Sequence, residues 1–490
     1  MKVADNTSLG KEAIAIVLAA GASTRMKSKT SKLLYPILGF KMVEWAILQA
    51  RSIAERVIVV VGHQREALQK CVREAFPSEA IEFALQAEAR GTADAVRSAV
   101  PILEKLGANE NTPLFIMGAD SILLKPESLQ NFYRLHTESR AVLSLMTTQT
   151  TAPNAFGRIL RSSQGSIEAI VELKDATPEQ TALTEVNAGF YLVQNNRLAE
   201  ALASVSDKTN KAKEFYLTDL VAIARKQGWL VQTVSIEEAE AAGVNTQVEL
   251  SAAAKTLQRR INSVWMERGV RLLDPETTWI DAQVQLEGDV EVGANVHLEG
   301  KTRIHSGSRI ASNSIVRDCD VGSGVVVESF CHLEGAKLGR SAKVGPFARL
   351  RPGTVLEGDV HIGNFVEIKK STLKQGVKAG HLSYLGDATV GEESNIGAGT
   401  ITCNYDGFAK NETVLGKNVF VGSNTSLVAP VEVGDGAIIG AGSVITDNIS
   451  TDSLAFERSE QQEIKEGAKR FRIKRTQQKT MSPNKQHKRK

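Results

Sequence analysis

From Leu286 to about Ile445 the chain keeps a six-residue beat of aliphatic side chains. It runs Leu286, Val292, Leu298, Ile304 and Ile310, then Leu338, Val344, Leu350, Leu356, Ile362 and Ile368. It returns as Val390 and Ile396, and again as Leu415, Val421, Leu427, Val433, Ile439 and Ile445. A helix repeats its apolar face about every 3.6 residues and a strand about every two, so neither alone accounts for the pattern. Short strands joined by tight corners do. Each hexad forms one side of a coil, and its aliphatic side chain points to the coil axis. Glycine often follows the aliphatic position, as at Gly293, Gly345, Gly363, Gly422 and Gly434, and suits corners where other side chains would crowd. The pattern predicts a parallel β-helix. An ordinary β-sandwich would space its turns more widely and less regularly.

The first half is patterned differently. Apolar runs at 13–20, 57–61, 113–117 and 141–147 read as buried strands. Helical segments at 42–53, 65–75 and 92–100 alternate with them. This alternation predicts a Rossmann-like α/β domain with a mostly parallel sheet, whose ligands sit at the carboxyl ends of the strands. Gly21–Lys32 and Asp120 fall at such ends. Small residues followed by Arg25, Lys29 and Lys32 suit phosphate, because loop N–H groups and nearby cations both favour it. A plain strand-to-helix turn reads the same residues without a ligand. Residues 237–268 read as helix, broken near Gly243 and resuming at Val248. Between Ile401 and Leu415 the beat fails, and an insertion there suits polar ligand contact.

The chain has 490 residues and a net charge of +3, which gives no general argument for nucleic acid or membrane as a partner. No run of about 20 apolar residues is present, and 1–11 lacks the apolar core of a secretory signal. That segment is expected to be a disordered lead-in. Cys71, Cys319, Cys331 and Cys403 form no CxxC pair, which argues against a metal knuckle and suits a reducing cytoplasm. The end of the chain is basic, finishing Lys485-Gln486-His487-Lys488-Arg489-Lys490. It reads as a solvated, disordered tail or as a contact for anionic phosphate.

Specific motifs narrow this picture. Leu18–Gly21, Thr24–Met26, Lys32, Gln86-Ala87-Glu88 with Gly91-Thr92, Phe156–Ile159, Val171-Glu172 with Lys174–Ala176, Asn187 with Gly189, and Gly243–Asn245 resemble the signature of sugar-1-phosphate nucleotidyltransferases. Phe347–Gly353, Asn364–Lys370, Ala379–Asp387, Asn395–Gly407 and Val419–Pro430 resemble the hexapeptide-repeat acyltransferases almost continuously. In order and spacing the chain is similar to the bacterial bifunctional family of N-acetylglucosamine-1-phosphate uridylyltransferase/glucosamine-1-phosphate acetyltransferases.

That resemblance implies a left-handed parallel β-helix, a homotrimer, and a cytoplasmic enzyme of peptidoglycan and lipopolysaccharide precursor synthesis. It divides the chain into a lead-in (1–11), a uridylyltransferase domain (12–247), a linker helix (248–270), an acetyltransferase β-helix (271–460) and a basic tail (461–490). In the first domain Leu18, Ala19, Ala20, Gly21, Arg25 and Lys32 would meet UTP. Gln86, Gly91 and Thr92 would hold the uracil end, and Gly157, Glu172 and Asn187 the sugar. Asp120 and Asn245 would bind Mg²⁺. In the second, His381 would be the general base, with Glu367 beside the amine. Arg351, Lys369, Tyr384 and Asn395 would hold the sugar phosphate. Ala398, Asn404, Tyr405, Ser423, Ala441 and Arg458 would contact acetyl-CoA, with Lys410 as a further candidate.

Three departures from the family pattern stand in the first domain. Ser23 replaces the second glycine of the phosphate loop, Ser31 a proline before Lys32, and Gly118–Leu123 lacks the usual Gly-Asp and following Pro. Two further readings therefore stay open. One is an acetyltransferase whose nucleotidyltransferase half is degenerate or altered in specificity, the other a non-catalytic hexapeptide-repeat scaffold.

Overall fold

The computed structural model describes residues 12–21, 23–151, 154–208 and 210–480. The expected lead-in and the run Lys485–Lys490 lie outside the described residues. The chain divides into two compact units, Met1–Pro352 and Gly353–Lys490.

The first unit opens on a mixed sheet. Its central order is Ile81–Leu85, Arg56–Val61, Ile14–Ala19, Pro113–Gly118, Glu185–Gln194, Leu143–Gln149 and Val231–Ser235. The first four strands are mutually parallel, as expected of buried apolar runs between helices. The long strand Glu185–Gln194 runs antiparallel to both neighbours. It also pairs Val186 with Arg158, at the edge of the hairpin Arg158–Arg161/Ile167–Val171. The periodicity could not show this reversal, because direction in a sheet depends on where the chain returns. The helix expected over 92–100 is two, Thr92–Arg97 and Val100–Lys105, the second carrying Pro101 in its first turn.

The helix broken near Gly243 is present as Glu238–Ala241 and Gln247–Glu267. Thr246 caps the longer one in a capping box with Glu249. Further along, Gln258 and Asn262 donate to the carbonyl of Thr278, 2.6 and 2.9 Å away. The helix is thereby tied to the first coil of the β-helix.

From Arg271 the chain winds through three parallel sheets, and the winding within Gly353–Lys490 has the same form. Equivalent residues mostly lie eighteen or seventeen positions apart, as Glu291 with Arg309 and Arg309 with Val326, and 25 apart across the insertion, as Asn395 with Phe420. Coils of seventeen contain one five-residue side. That is why the beat loses step after Val316 and again after Ile368. The aliphatic positions are buried, Val292, Leu298, Leu350, Ile368, Leu385 and Val421 completely. Small hydroxyl residues share the interior and satisfy themselves on backbone carbonyls, as Ser308 does on Gly322 at 2.8 Å. At the interruption, Thr402 keeps the inward position opposite Leu427. The insertion after it is closed by a bridge between Tyr405 and Lys410.

The expectation of a disordered tail is corrected in part. Gly467–Thr480 is an α-helix, and its residues from Ala468 through Lys479 are exposed. Its Ala, Lys, Arg and Gln content favours helix without a packing partner.

Candidate active sites

The carboxyl ends of the parallel strands open into a cleft of about 570 Å³. Leu18, Ala20, Gly21, Gln86, Gly91, Thr92, Asp120, Gly157, Glu172, Asn187 and Asn245 all line it. Residues spread over more than 200 positions of sequence are thus brought together by the strand order. Ala19, Arg25 and Lys32 are not in its lining. The two cations border it instead, each bonded to a residue that is.

At one end, Gly91 has φ +119° and caps the helix Thr92–Arg97. A Cβ there would lie 2.5 Å from the Phe215 carbonyl oxygen, so glycine is required. Gln86 Nε2 donates to Gly91 O at 3.1 Å and to Asp94 Oδ2 at 3.0 Å. With both N–H groups engaged, the Gln86 carbonyl oxygen is what remains for a ligand. The sequence motifs did not include Asp94. Its spacing from Arg90, one helical turn away and 2.9 Å across an ion pair, was the available signal.

Against the same 215–218 segment that meets Gly91 and Thr92, Glu172 Oε1 accepts from Thr218 Oγ1 at 3.0 Å. Burial holds the Glu172 carboxyl above its ordinary range; the Thr218 hydrogen bond opposes this, and Asp175, Asp219 and Glu214 add to it. Asn187 donates to the Tyr191 hydroxyl at 2.7 Å and accepts from the Gly189 amide at 3.1 Å. Burial, first, and the charge of Glu172 keep the Tyr191 phenol protonated.

Arg25 and Lys32, the cations expected from sequence to meet phosphate, lie beside Asp120 and Asn245. Lys32 Nζ donates to Asp120 Oδ2, Asn245 Oδ1 and Val244 O at 2.6, 2.7 and 2.9 Å. Arg25 Nη2 also reaches Asn245 Oδ1, at 2.8 Å. Asp120 and Asn245 offer hard oxygen donors. Among the described residues no group of three or more His, Cys, Asp or Glu could hold an ion unaided. A carboxylate and an amide oxygen therefore fit a divalent ion that completes its shell with phosphate and water.

Ser23, Ser31 and the missing proline after Asp120 each have a local setting; nothing in the structure explains Ala119. Ser23 sits at φ 56°, ψ 26°, the left-handed region where glycine is preferred. The backbone path is kept, at a cost in strain. Ser31 has φ −56°, which proline would also adopt, but its N–H donates to Gln64 Oε1 at 2.9 Å. The loop after Asp120 is pinned by side chains in place of a proline. Gln49 donates to the carbonyls of Ile122 and Leu124 at 2.6 and 3.0 Å, and Arg260 to that of Leu123 at 2.5 Å.

In the unit from Gly353, His381 ends the strand Lys378–His381 and pairs with Asn364 one coil earlier. Its Nδ1 lies 2.6 Å from Asn364 Oδ1. Asn364 stood within a family motif but had no role assigned from sequence. Amide hydrogen bonds continue down the same corner, Gly399 to His381, Asn424 to Ala398 and Gly442 to Ser423, at 3.3, 2.7 and 2.8 Å. Arg458 Nη1 then caps the Ala441 carbonyl at 2.9 Å. Ala398, Ser423, Ala441 and Arg458 therefore form one column leading from His381, although 17 to 25 residues separate successive members.

Glu367 is paired with Tyr384 on the adjoining face, and Lys369 with Gly386. Asn395 pairs with Lys378 on the face before the corner. Asn404 and Tyr405 stand at the next corner, where Asn404 Nδ2 donates to Asp387 Oδ2 at 2.5 Å and Tyr405 to Gly407 O at 2.8 Å. They are not in the His381 column. Arg351 follows the strand Arg349–Leu350 of the first unit.

The cysteines take no part. Burial pushes the Cys71, Cys319 and Cys331 thiols up to about 11, where they stay protonated. Among the described residues no helix is long and apolar enough to cross a membrane.

Residues 15–216 match the MobA-like NTP transferase domain, and residues 412–447 the bacterial transferase hexapeptide (six repeats). The bifunctional protein GlmU of Pelobacter propionicus is 43% identical over 450 residues, 91% of this chain and 96% of its own length. Those of Desulfitobacterium hafniense and Stutzerimonas stutzeri are 41% and 42% identical, each over 92% of this chain and 97% of theirs. The likeness runs through both halves, so the degenerate and scaffold readings give way. The chain belongs to the bifunctional GlmU family and is an enzyme that joins a nucleotidyltransferase half to an acyltransferase half.

Proposed function

We propose that the β-helix half acetylates glucosamine-1-phosphate from acetyl-CoA, and that the N-terminal half joins the product to UMP from UTP, yielding UDP-N-acetylglucosamine and pyrophosphate. The observation that carries this reading is the single cleft holding Gln86, Glu172 and Asp120 together, beside a family likeness over both halves.

In the cleft, a phosphate oxygen of the sugar phosphate attacks the α-phosphorus of UTP, and the bond to the β-phosphate oxygen breaks. No protein nucleophile is needed; positioning and charge neutralisation carry the step. Gln86, Gly91 and Thr92 hold the base, while Gly157, Glu172 and Asn187 hold the sugar. Leu18, Ala20 and Gly21 line the nucleotide, and Ala19, buried in the strand, only positions its neighbours. Arg25 and Lys32 face the phosphates. Mg²⁺, held by Asp120 and Asn245, would supply further positive charge at the phosphates.

In the second half, the Asn364 carbonyl oxygen accepts from His381 Nδ1–H. This assigns the proton to Nδ1 and leaves the Nε2 lone pair free. His381 Nε2 takes a proton from the substrate amine as its nitrogen attacks the thioester carbon. The C–S bond then breaks, and CoA leaves as the thiol with that proton. Glu367 is assigned to orienting the amine. Arg351, Lys369, Tyr384 and Asn395 bind the sugar phosphate. Ala398, Ser423, Ala441 and Arg458 carry acetyl-CoA along the column, with Asn404 and Tyr405 contributing from the next corner. The working form is a cytoplasmic homotrimer, as hexapeptide β-helices commonly associate in threes. The proposal assigns 12–247 to uridylyl transfer and 271–460 to acetyl transfer.

Two assays on the purified protein test this. One follows pyrophosphate release from UTP, N-acetylglucosamine-1-phosphate and Mg²⁺. The other follows thiol release from acetyl-CoA and glucosamine-1-phosphate. Both signals are expected. Thiol release without pyrophosphate would overturn the uridylyl-transfer part of the proposal, and the converse the acetyl-transfer part.

A further inference from the structure

Lys32 Nζ is gripped by three oxygens, those of Asp120, Asn245 and the Val244 carbonyl, all within 2.9 Å. Three acceptors saturate the three N–H bonds of an ammonium. Two of these oxygens are the side-chain donors assigned above to the divalent ion. Such an ion takes its ligands at about 2.0–2.1 Å. On the same two atoms it would overlap the ammonium, and two cations would share one small volume.

We propose that Lys32 and the divalent ion are alternative occupants of the Asp120 and Asn245 oxygens, and that the nucleotide decides between them by drawing the Lys32 ammonium onto its phosphates. The proposal rests on the metal assignment made under Proposed function and deepens it. The backbone around Lys32 is held, since Ser31 N–H is bonded to Gln64 and Lys32 begins a tight helical turn closed by Tyr35 N–H on Lys32 O. The exchange therefore lies in the four-carbon side chain, whose bonds rotate freely. Arg25 bonds to Asn245 where Lys32 bonds to both Asn245 and Asp120, so Arg25 competes for one donor and Lys32 for two.

Affinity for the ion alone falls by the fraction of time its donors are free. By linkage, nucleotide and ion each raise the affinity of the other. The nucleotidyltransferase half then takes its ion with the nucleotide rather than before it.

The test is Mn²⁺ binding to the full chain, read from the paramagnetic resonance signal of free Mn²⁺, first without nucleotide and then with UTP. Without UTP, Lys32→Met is expected to bind Mn²⁺ about tenfold or more tightly than the natural chain. Arg25→Met is expected to gain less than about threefold. With UTP the advantage of Lys32→Met is expected to vanish or reverse. No gain in Lys32→Met, or a gain equal to that of Arg25→Met, would reduce the effect to general charge repulsion and overturn the proposal. Asp120→Asn is expected to lose Mn²⁺ binding; if it keeps wild-type affinity, the metal assignment itself is wrong and the proposal falls with it. Lys32→Gln serves as a second variant if Lys32→Met does not fold, judged by circular dichroism.

Discussion

His381 and Asn364 stand one coil apart on the same corner of the β-helix, with Nδ1 and Oδ1 2.6 Å from each other. An amide oxygen can only accept, so this bond puts the proton on Nδ1, and in the proposed mechanism Asn364 would act through the imidazole. His381→Ala is expected to lower kcat for acetyl transfer by about 10²–10⁴-fold. Asn364→Ala is expected to lower it by about 10- to 100-fold, a loss typical of removing the partner that orients a histidine. Pyrophosphate release by the same protein should be unchanged in both. A kcat for Asn364→Ala equal to wild type would remove its positioning role.

Gly91 offers a test of the nucleotide pocket. With φ +119° and the Phe215 carbonyl oxygen 2.5 Å from where an alanine Cβ would stand, Gly91→Ala must shift the backbone that Gln86 and Thr92 depend on. A cost of about 1–3 kcal/mol in stability is expected, with KM for UTP raised and acetyl transfer retained. Chemical denaturation and the two parallel assays would show it.

Ser23 makes the opposite prediction. A non-glycine residue in the left-handed region costs about 1–2 kcal/mol, and glycine returns some of that as backbone entropy. Ser23→Gly is therefore expected to leave stability unchanged or raise it by up to about 1 kcal/mol. Uridylyl transfer should not fall. A marked loss would show that the Ser23 hydroxyl has a role at the phosphates.

Glu172 links stability to pH. Its carboxyl is raised in the folded protein, chiefly by burial. Below the unfolded value both states hold the proton and nothing is lost. As pH rises past that value the unfolded chain releases its proton first, so stability falls until the folded group also ionises. Glu172→Gln is expected to raise Tm at neutral pH, with the gain disappearing below the ordinary glutamate range, and to raise KM for the sugar phosphate. A Tm difference that grows toward acid would contradict the assignment.

The Asp120 loop is held by Gln49 and Arg260 on three successive carbonyls. Gln49→Ala leaves two buried carbonyls without these donors, at a cost of about 1–3 kcal/mol. Pyrophosphate release is expected to drop about tenfold, the loss that follows a shift of roughly 1.4 kcal/mol in the barrier. Thiol release should stay level. Equal loss of both activities would point to global unfolding instead.

Much of this was legible in the chain itself. The six-residue beat dictates the coil, because sides of about that length return the inward positions to one axis. The apolar runs between helices dictate the parallel core, and the motif residues pointed to the cleft and to the corner that carries His381. Other features follow only from the packing. The reversal of Glu185–Gln194 depends on where the chain re-enters the sheet. The five-residue sides that put the beat out of step are visible only once coils are stacked. Asn364 gains a role because a coil of seventeen residues sets it over His381. Gln49 and Arg260 matter because strand order carries the Asp120 loop to them. Lys32 lies on Asp120 and Asn245, 88 and 213 residues away, because a cation buried beside a carboxylate must be satisfied where the fold places it.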